Sequence, residues 1–387
     1  MRRNATPPRP DWQRRCEEMG FDFHSVGGRY WEETACYVLS AEEVDTLEAG
    51  AEELHRICIE ACDHIVRNKR CGEMAIPDAF AEFVADSWKR RDPSIFGRFD
   101  LAWDGEGPPK LLEYNADTPT ALIEAGVAQW FWLEDRKRLG SGAAGVISGD
   151  ADQFNSLHEK LIERWRSVGD ELDSATIHFS CVRDHEEDYG NTNYLRDTAI
   201  QGGADTRFIF IEDIGWNADA GCFVDLEGNS IEALFKLYPW EWLARERFGP
   251  HILDRTCSWI EPPWKMLLSN KAVLAILWEL FPEHPNLLPC YFDADSLAES
   301  EYVKKPILAR EGSNISLRRS GGALMTGGSY GEEGYVFQKY APLPRFDGNY
   351  AVIGAWIVGD RAAGIGIRED DSPITKNTSR FVPHYFE

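Results

Sequence analysis

Toward the end of the first third of the chain stands Arg98-Phe-Asp100-Leu-Ala-Trp-Asp104-Gly-Glu-Gly107-Pro-Pro-Lys110-Leu-Leu-Glu113-Tyr-Asn115-Ala-Asp117-Thr118-Pro-Thr120, two extended runs around a glycine-rich turn. Side chains alternate across a strand, so Arg98 and Asp100 share one face, and Glu113 and Asn115 share one face of the second run. Asp104 to Pro108 reads as the hairpin loop. Symmetric pairing about that loop sets Asp100 opposite Glu113 and gathers two carboxylates, an amide oxygen and a guanidinium on one patch. Like charges facing each other across strands repel. A hard divalent cation such as Mg²⁺, held by oxygen ligands and bridging phosphates, would relieve that repulsion, and Arg98 adds a positive group for an anion. The alternative is a plain polar outer face on an edge hairpin.

Around this patch the chain reads as a soluble enzyme. Its 387 residues, 43% hydrophobic, suffice for two or three packed units. The 14 Trp, 13 Tyr and 20 Phe are first of all core mass. Nine cysteines without a CxxC pair indicate neither a disulfide framework nor a zinc site, which points to a reducing compartment. No apolar h-region follows Met1-Arg-Arg, and no run of eighteen apolar residues occurs, so a cytoplasmic protein is expected. The 65 acidic against 41 basic residues give a formal charge of −24, which opposes nucleic acid and anionic membranes and favours a cationic partner, or serves solubility alone. The oligomeric state is not set by these features.

Along the chain, Ser40-Ala-Glu-Glu43 is a capping box that opens an amphipathic helix of about two dozen residues. A second helix follows Pro77 and runs to Trp88, so residues 1–97 read as a helical cover. Residues 98–145 form the hairpin and a helix over 121–139 that starts at Thr118-Pro-Thr120, with its free backbone NH groups turned toward the patch. A Gly-Ser-Gly-Ala-Ala-Gly linker at 140–145 leads to a third unit, 146–265. There Thr176–Val182 and Thr206–Ile211 flank a helical stretch near Tyr194–Gln201, a βαβ unit. Its ligand loop would be Arg183–Asp188, whose acids suit an amine or form a solvated charge run. In the last unit, 266–387, Asn270-Lys271 opens an apolar helix and Lys305 ends a short strand. Gly312, Ser320-Gly-Gly322 and Gly327–Gly331 make a glycine-rich flap whose NH groups can cradle phosphates. The strand Tyr335–Ala341, with Gln338, suits an adenine edge, and Arg368 beyond a later strand suits a second anion. Neither GxxxxGK[ST] nor a strand-linked GxGxxG is present.

With these residues quoted, a resemblance emerges. The set Arg98-Phe-Asp100, Leu-Leu-Glu113-Tyr-Asn115-Ala-Asp-Thr-Pro-Thr, Leu-Phe-Lys236-Leu-Tyr-Pro-Trp-Glu-Trp242, Ser-Asn-Lys271, His284-Pro-Asn, Lys305-Pro and Gly312-Ser-Asn-Ile resembles the synthetase domain of the glutathionylspermidine synthase family over nearly the whole chain. The resemblance implies an α/β (α+β) permuted ATP-grasp fold with a pre-ATP-grasp-like βαβ unit and an N-terminal helical segment. It implies ATP as co-substrate, Mg²⁺, and an amide formed between a peptide carboxylate and a polyamine through an acyl phosphate. It further implies Asp100, Glu113 and Asn115 as metal ligands and Arg98 as the catalytic arginine. ATP would be held by Arg98, Lys271, Lys305, Arg310, Gly312, Gln338 and Arg368. Thr118, Thr120, Glu187, Asp188 and Trp242 would line the peptide and polyamine sites. No amidase domain is expected in this sequence. Around Trp242 and residues 183–197 the match is loose, so a short peptide other than glutathione is an alternative donor. Two other readings stay open: a nucleotide-binding protein without ligase activity, and a metal-dependent phosphohydrolase.

Overall fold

The computed structural model describes residues 1–139, 144–172 and 176–387; most of the expected 140–145 linker lies outside them. The hairpin forms as its pattern requires. Strands Phe96–Ala102 and Lys110–Asn115 pair antiparallel with Asp100 opposite Glu113 and Arg98 opposite Asn115, and a bulge follows Asp100. The hairpin is one side of a larger antiparallel sheet, because Asn349–Val358 pairs with Phe96–Ala102 on its other edge, followed by Arg361–Asp370 and Arg380–Val382. Phe96–Ala102 is therefore buried throughout rather than one-sided.

Two further sheets flank this one. Ala233–Leu237 lies at the centre of four parallel strands, with Ser258–Ile260 on one side and Thr176–Cys181 and Asp205–Phe210 on the other. The expected βαβ unit is present, and its helix is longer than the sequence suggested. It spans Glu186–Gln201, so the acidic stretch Glu186-Glu-Asp188 forms its first turn instead of a loop, with His185 Nδ1 accepting from the Asp188 amide at 3.2 Å. Acids in a first helical turn are stabilised by the helix dipole, which explains the difference. The other flanking sheet is antiparallel and carries Tyr335–Lys339, Tyr302–Pro306 and the flap hairpin Ser316–Arg319/Gly322–Met325.

Helix Ala41–Arg67 carries the complete capping box and buries Leu47, Leu54, Ile57 and Ala61 against Ile353, Ile367 and the apolar helix Ala272–Leu280. Burying side chains of this kind contributes about 1.5–3 kcal/mol each before entropy is counted. A second core joins Trp165, Phe179, Phe235 and Trp356. The N-terminal region departs from the all-helical expectation. Arg2–Ala5 and Ala35–Leu39 are strands, and the latter pairs in parallel with His384–Phe386. Ala-Cys-Tyr-Val-Leu at 35–39 is a short apolar run without alternation, which periodicity alone does not assign to strand or helix. All nine cysteines are free. Among the described residues no helix is long and apolar enough to cross a membrane.

Candidate functional site

The hairpin's charged face is buried at the meeting point of two clefts. Asp100 is 5% exposed; its Oδ1 accepts from Arg98 Nε at 2.9 Å and its Oδ2 from Arg368 Nη2 at 2.5 Å. Burial alone would raise this carboxyl's pKa, but Arg368 and Arg98 outweigh it and hold the group at about 2. Arg368 sits inside Arg361–Asp370, not beyond a strand, and two registers of pairing carry it across the sheet toward Asp100. Arg98 also donates from Nη1 to the Thr120 carbonyl at 2.6 Å, tying the hairpin to the turn that follows it. Its side chain needs room that Gly354 provides, since a Cβ there would lie 2.8 Å from Arg98 Cδ.

Glu113 is less confined. It pairs with Lys271 Nζ at 3.0 Å, and that lysine also donates to the Ala309 carbonyl at 2.5 Å. Asn115 faces the same region, where its Oδ1 accepts weakly from the Thr118 amide at 3.3 Å. Among the described residues no three His, Cys, Asp or Glu side chains come together to enclose a metal. Two carboxylates and an amide oxygen are nevertheless a donor set that fits Mg²⁺, which typically takes one or two carboxylates and completes its shell with phosphate and water.

The first cleft is apolar along Leu112, Val303, Ile315, Leu317, Leu343 and Val352. Lys305 stands in its floor, with Nζ donating to the Leu112 carbonyl at 2.8 Å and to Gln338 Oε1 at 2.7 Å. Burial lowers its pKa to about 8. Gln338 is almost fully enclosed and donates in turn to the Leu111 carbonyl, so one end of its side chain accepts from Lys305 and the other is anchored on the hairpin. The backbone connector after it, Lys339–Ala341, lines the cleft.

The second cleft is polar. Arg98, Asn115, Thr118, Thr120, Arg310 and Arg368 line it, with Asp188 and His185 from the helix start and Trp242. Asp100, Glu113, Lys271, Ala309, Gly312 and Thr375 belong to both clefts. Gly312 has φ +70°, and a Cβ would meet the Thr375 carbonyl oxygen at 2.7 Å, so only glycine suits this junction. Glu187 is not in that lining; it stands behind Thr120, whose hydroxyl contacts it, and burial raises its pKa. Still deeper, fully buried Glu124 accepts from the Tyr30 hydroxyl at 2.5 Å while its Oε2 has no hydrogen-bond partner. Burial, reinforced by Glu187, raises its pKa to about 8.

Several contributors gave no signal in the sequence. Glu124 and Gly354 lie in ordinary helical or strand patterns. Lys376 and Asn377 reach the polar cleft from a loop after the last long strand. Asp117 and Lys236 are a wholly buried ion pair, 2.7 Å apart; both occur in the motifs quoted above, but only the fold joins them.

A mixed α/β chain with two clefts converging on a charged hairpin has the layout of an enzyme that brings several substrates together, and comparison with known proteins points to a ligase family. The sequence profile of the glutathionylspermidine synthase preATP-grasp family matches residues 3–387, and the chain belongs to that family. It is 40% identical, over 98% of both chains, to a Haemophilus influenzae protein provisionally named an acid–amine ligase. It is 30% identical to trypanothione synthetase of Crithidia fasciculata over 85% of this chain and 53% of that one. The bifunctional glutathionylspermidine synthetase/amidase of Escherichia coli is 28% identical over 90% and 58%. The chain thus spans a little over half the length of the latter two. A glutathione synthetase-like effector of Globodera pallida shares the fold with a TM-score of 0.54 at 10% identity, covering 98% of this chain and 100% of that one.

Proposed function

We propose that the protein is an ATP- and Mg²⁺-dependent carbon–nitrogen ligase of the permuted ATP-grasp type that joins a short peptide's carboxylate, glutathione or similar, to a polyamine. The observation that carries this reading is the junction of the two clefts. An apolar slot with a lysine in its floor suits a purine nucleotide, a polar chamber suits charged co-substrates, and both open onto Asp100, Glu113 and Lys271. ATP would lie in the slot with Lys305 and Lys271 on its phosphates. Asp100, Glu113 and Asn115 would hold Mg²⁺, which supplies charge neutralisation along the phosphates. The peptide carboxylate attacks the γ-phosphorus, ADP leaves, and an acyl phosphate results. Arg98 and Arg368, locked by Asp100, face the place where charge develops, so little reorganisation is needed. An amine nitrogen then attacks the acyl carbon, phosphate departs, and the amide nitrogen gives up its extra proton.

The formal charge of −24 and the Asp188 carboxylate in the chamber lining favour a polycationic amine over a neutral one. The reading is tested by incubating the protein with ATP, Mg²⁺, glutathione and spermidine, then with other peptides and polyamines. Mass analysis should find an amide product, with ADP and phosphate formed in equal amounts and only when both co-substrates are present. Stoichiometric AMP, or phosphate release that ignores the amine, would refute it.

A further inference from the structure

A closed chain of buried polar contacts runs along one wall of the polar chamber. Asp117 Oδ1 accepts from Lys236 Nζ at 2.7 Å, and its Oδ2 accepts from the Trp240 amide at 3.0 Å. The pair is fully buried, so neither charge is available to a ligand. This fixes the start of the short helix Trp240–Leu243 and with it Glu241. Glu241 Oε1 accepts from both Nε (2.9 Å) and Nη2 (2.8 Å) of Arg310. Arg310 Nη1 donates to Thr118 Oγ1 at 2.8 Å, and Thr118 is bonded to Asp117, which closes the ring. Three distant segments are thereby held together: the turn after the hairpin, the end of a central parallel strand, and the loop before Gly312.

Counting donors shows what the ring leaves over. A guanidinium has five N–H groups, and three are used here, so one remains on each terminal nitrogen. Those two are left for oxygen acceptors, and a carboxylate or an acyl phosphate is the kind of group a guanidinium pairs with. The Thr118 oxygen is already occupied as an acceptor, so its own proton is free to be donated. Arg310 and Thr118 line the polar chamber and not the apolar slot, whereas Glu241 lines neither. Burial would lower the Arg310 pKa, but the Glu241 and Asp117 carboxylates outweigh it, so the guanidinium keeps its charge.

We propose that Glu241 is a positioning residue that holds Arg310, together with the Thr118 hydroxyl, as a fixed three-donor receptor for the reacting carboxylate of the acyl donor. This rests on the ligase reading above and goes beyond it by moving Arg310 from the nucleotide to the acyl donor. Without Glu241 the guanidinium would keep its charge but lose its orientation.

The test is steady-state kinetics of Glu241→Gln and Thr118→Val. Each should raise the KM for the peptide about ten- to hundredfold, in line with loss of charge-assisted hydrogen bonds, with KM for ATP and for the amine changed less than about twofold. Thr118→Ser should restore the wild-type value. The double variant should lose less than the product of the single losses, because both act through Arg310. Should Glu241→Gln fail to fold, Thr118→Val and its serine rescue carry the test. An unchanged peptide KM, or an equal rise in KM for ATP, overturns the assignment. If wild-type protein makes no amide at all, the ligase reading fails on its own, and calorimetric binding of glutathione to the wild type and Glu241→Gln still decides the receptor: equal affinities overturn it.

Discussion

The apolar slot and the polar chamber share a floor yet are built on opposite plans. Most of the slot comes from one stretch, Val303 to Leu343, whose strands pair with their sequence neighbours. The chamber draws on residues around 98–120, 182–188, 237–242, 269–271, 309–312 and 368–377. A site made within one stretch can deform locally, as a flap must. One assembled from distant strands is rigid only if charge pairs lock the pieces, and the chamber has such locks at Asp100 and Asp117. Binding a nucleotide and aligning a reaction thus become separable tasks.

That separation can be broken most severely at Asp100. Asp100→Asn leaves Arg98 and Arg368 without their shared partner and weakens the proposed Mg²⁺ site, so turnover should fall about a hundred- to a thousandfold while binding of metal-free ATP in the slot, which does not draw on that site, changes little. Steady-state rates combined with ATP calorimetry check this, and a parallel loss of ATP affinity would show that the two regions are one.

The chamber's rigidity also has a pH signature. Glu124 has a folded pKa of about 8, well above an unfolded carboxyl. Between about pH 4.5 and pH 8 the native state therefore holds a proton that the unfolded chain releases, and stability should decline as pH rises through that window and then level off. Glu124→Gln removes the titration. It should match wild type near pH 5 and exceed it by a few kcal/mol near pH 8.5, as read by urea unfolding.

In the slot the corresponding group is Lys305. Its pKa of about 8 means that its charge is lost as pH rises past that value, so ATP affinity should weaken by up to about tenfold per pH unit beyond it, until the lysine of the ATP-bound form deprotonates as well. Lys305→Arg should flatten the profile, and peptide KM should not follow it. The smallest effect is expected at the chamber's acidic end. Replacing Glu187 and Asp188 by Gln and Asn should raise the KM for the amine a few-fold and reduce its dependence on ionic strength, since Asp188 is only partly enclosed.

The same contrast explains what the sequence disclosed. The hairpin register follows from alternation and a short loop, so Asp100 opposite Glu113 could be read directly, as could the capping box at Ser40 and the βαβ order. Arg368 could be suspected, but its salt bridge to Asp100 depends on two antiparallel registers bridging 268 positions. Gly354 looked like any strand glycine until its neighbour proved to be Arg98. Glu241 lay between two tryptophans in a motif already quoted, and its partner is 69 positions away. Pairings of this kind are fixed by tertiary packing, about which local pattern is silent.

The parallel pairing of Ala35–Leu39 with His384–Phe386 bears on how the protein is made. Phe96–Ala102, likewise, meets its neighbour Asn349–Val358 only after some 250 intervening residues. On the ribosome each early strand can pair with its local neighbour but must wait with its other edge open until the late strands emerge, so the central sheet is completed only at the end of synthesis. The long helix Ala41–Arg67, whose structure is local, can form at once and shelter those edges in the interval.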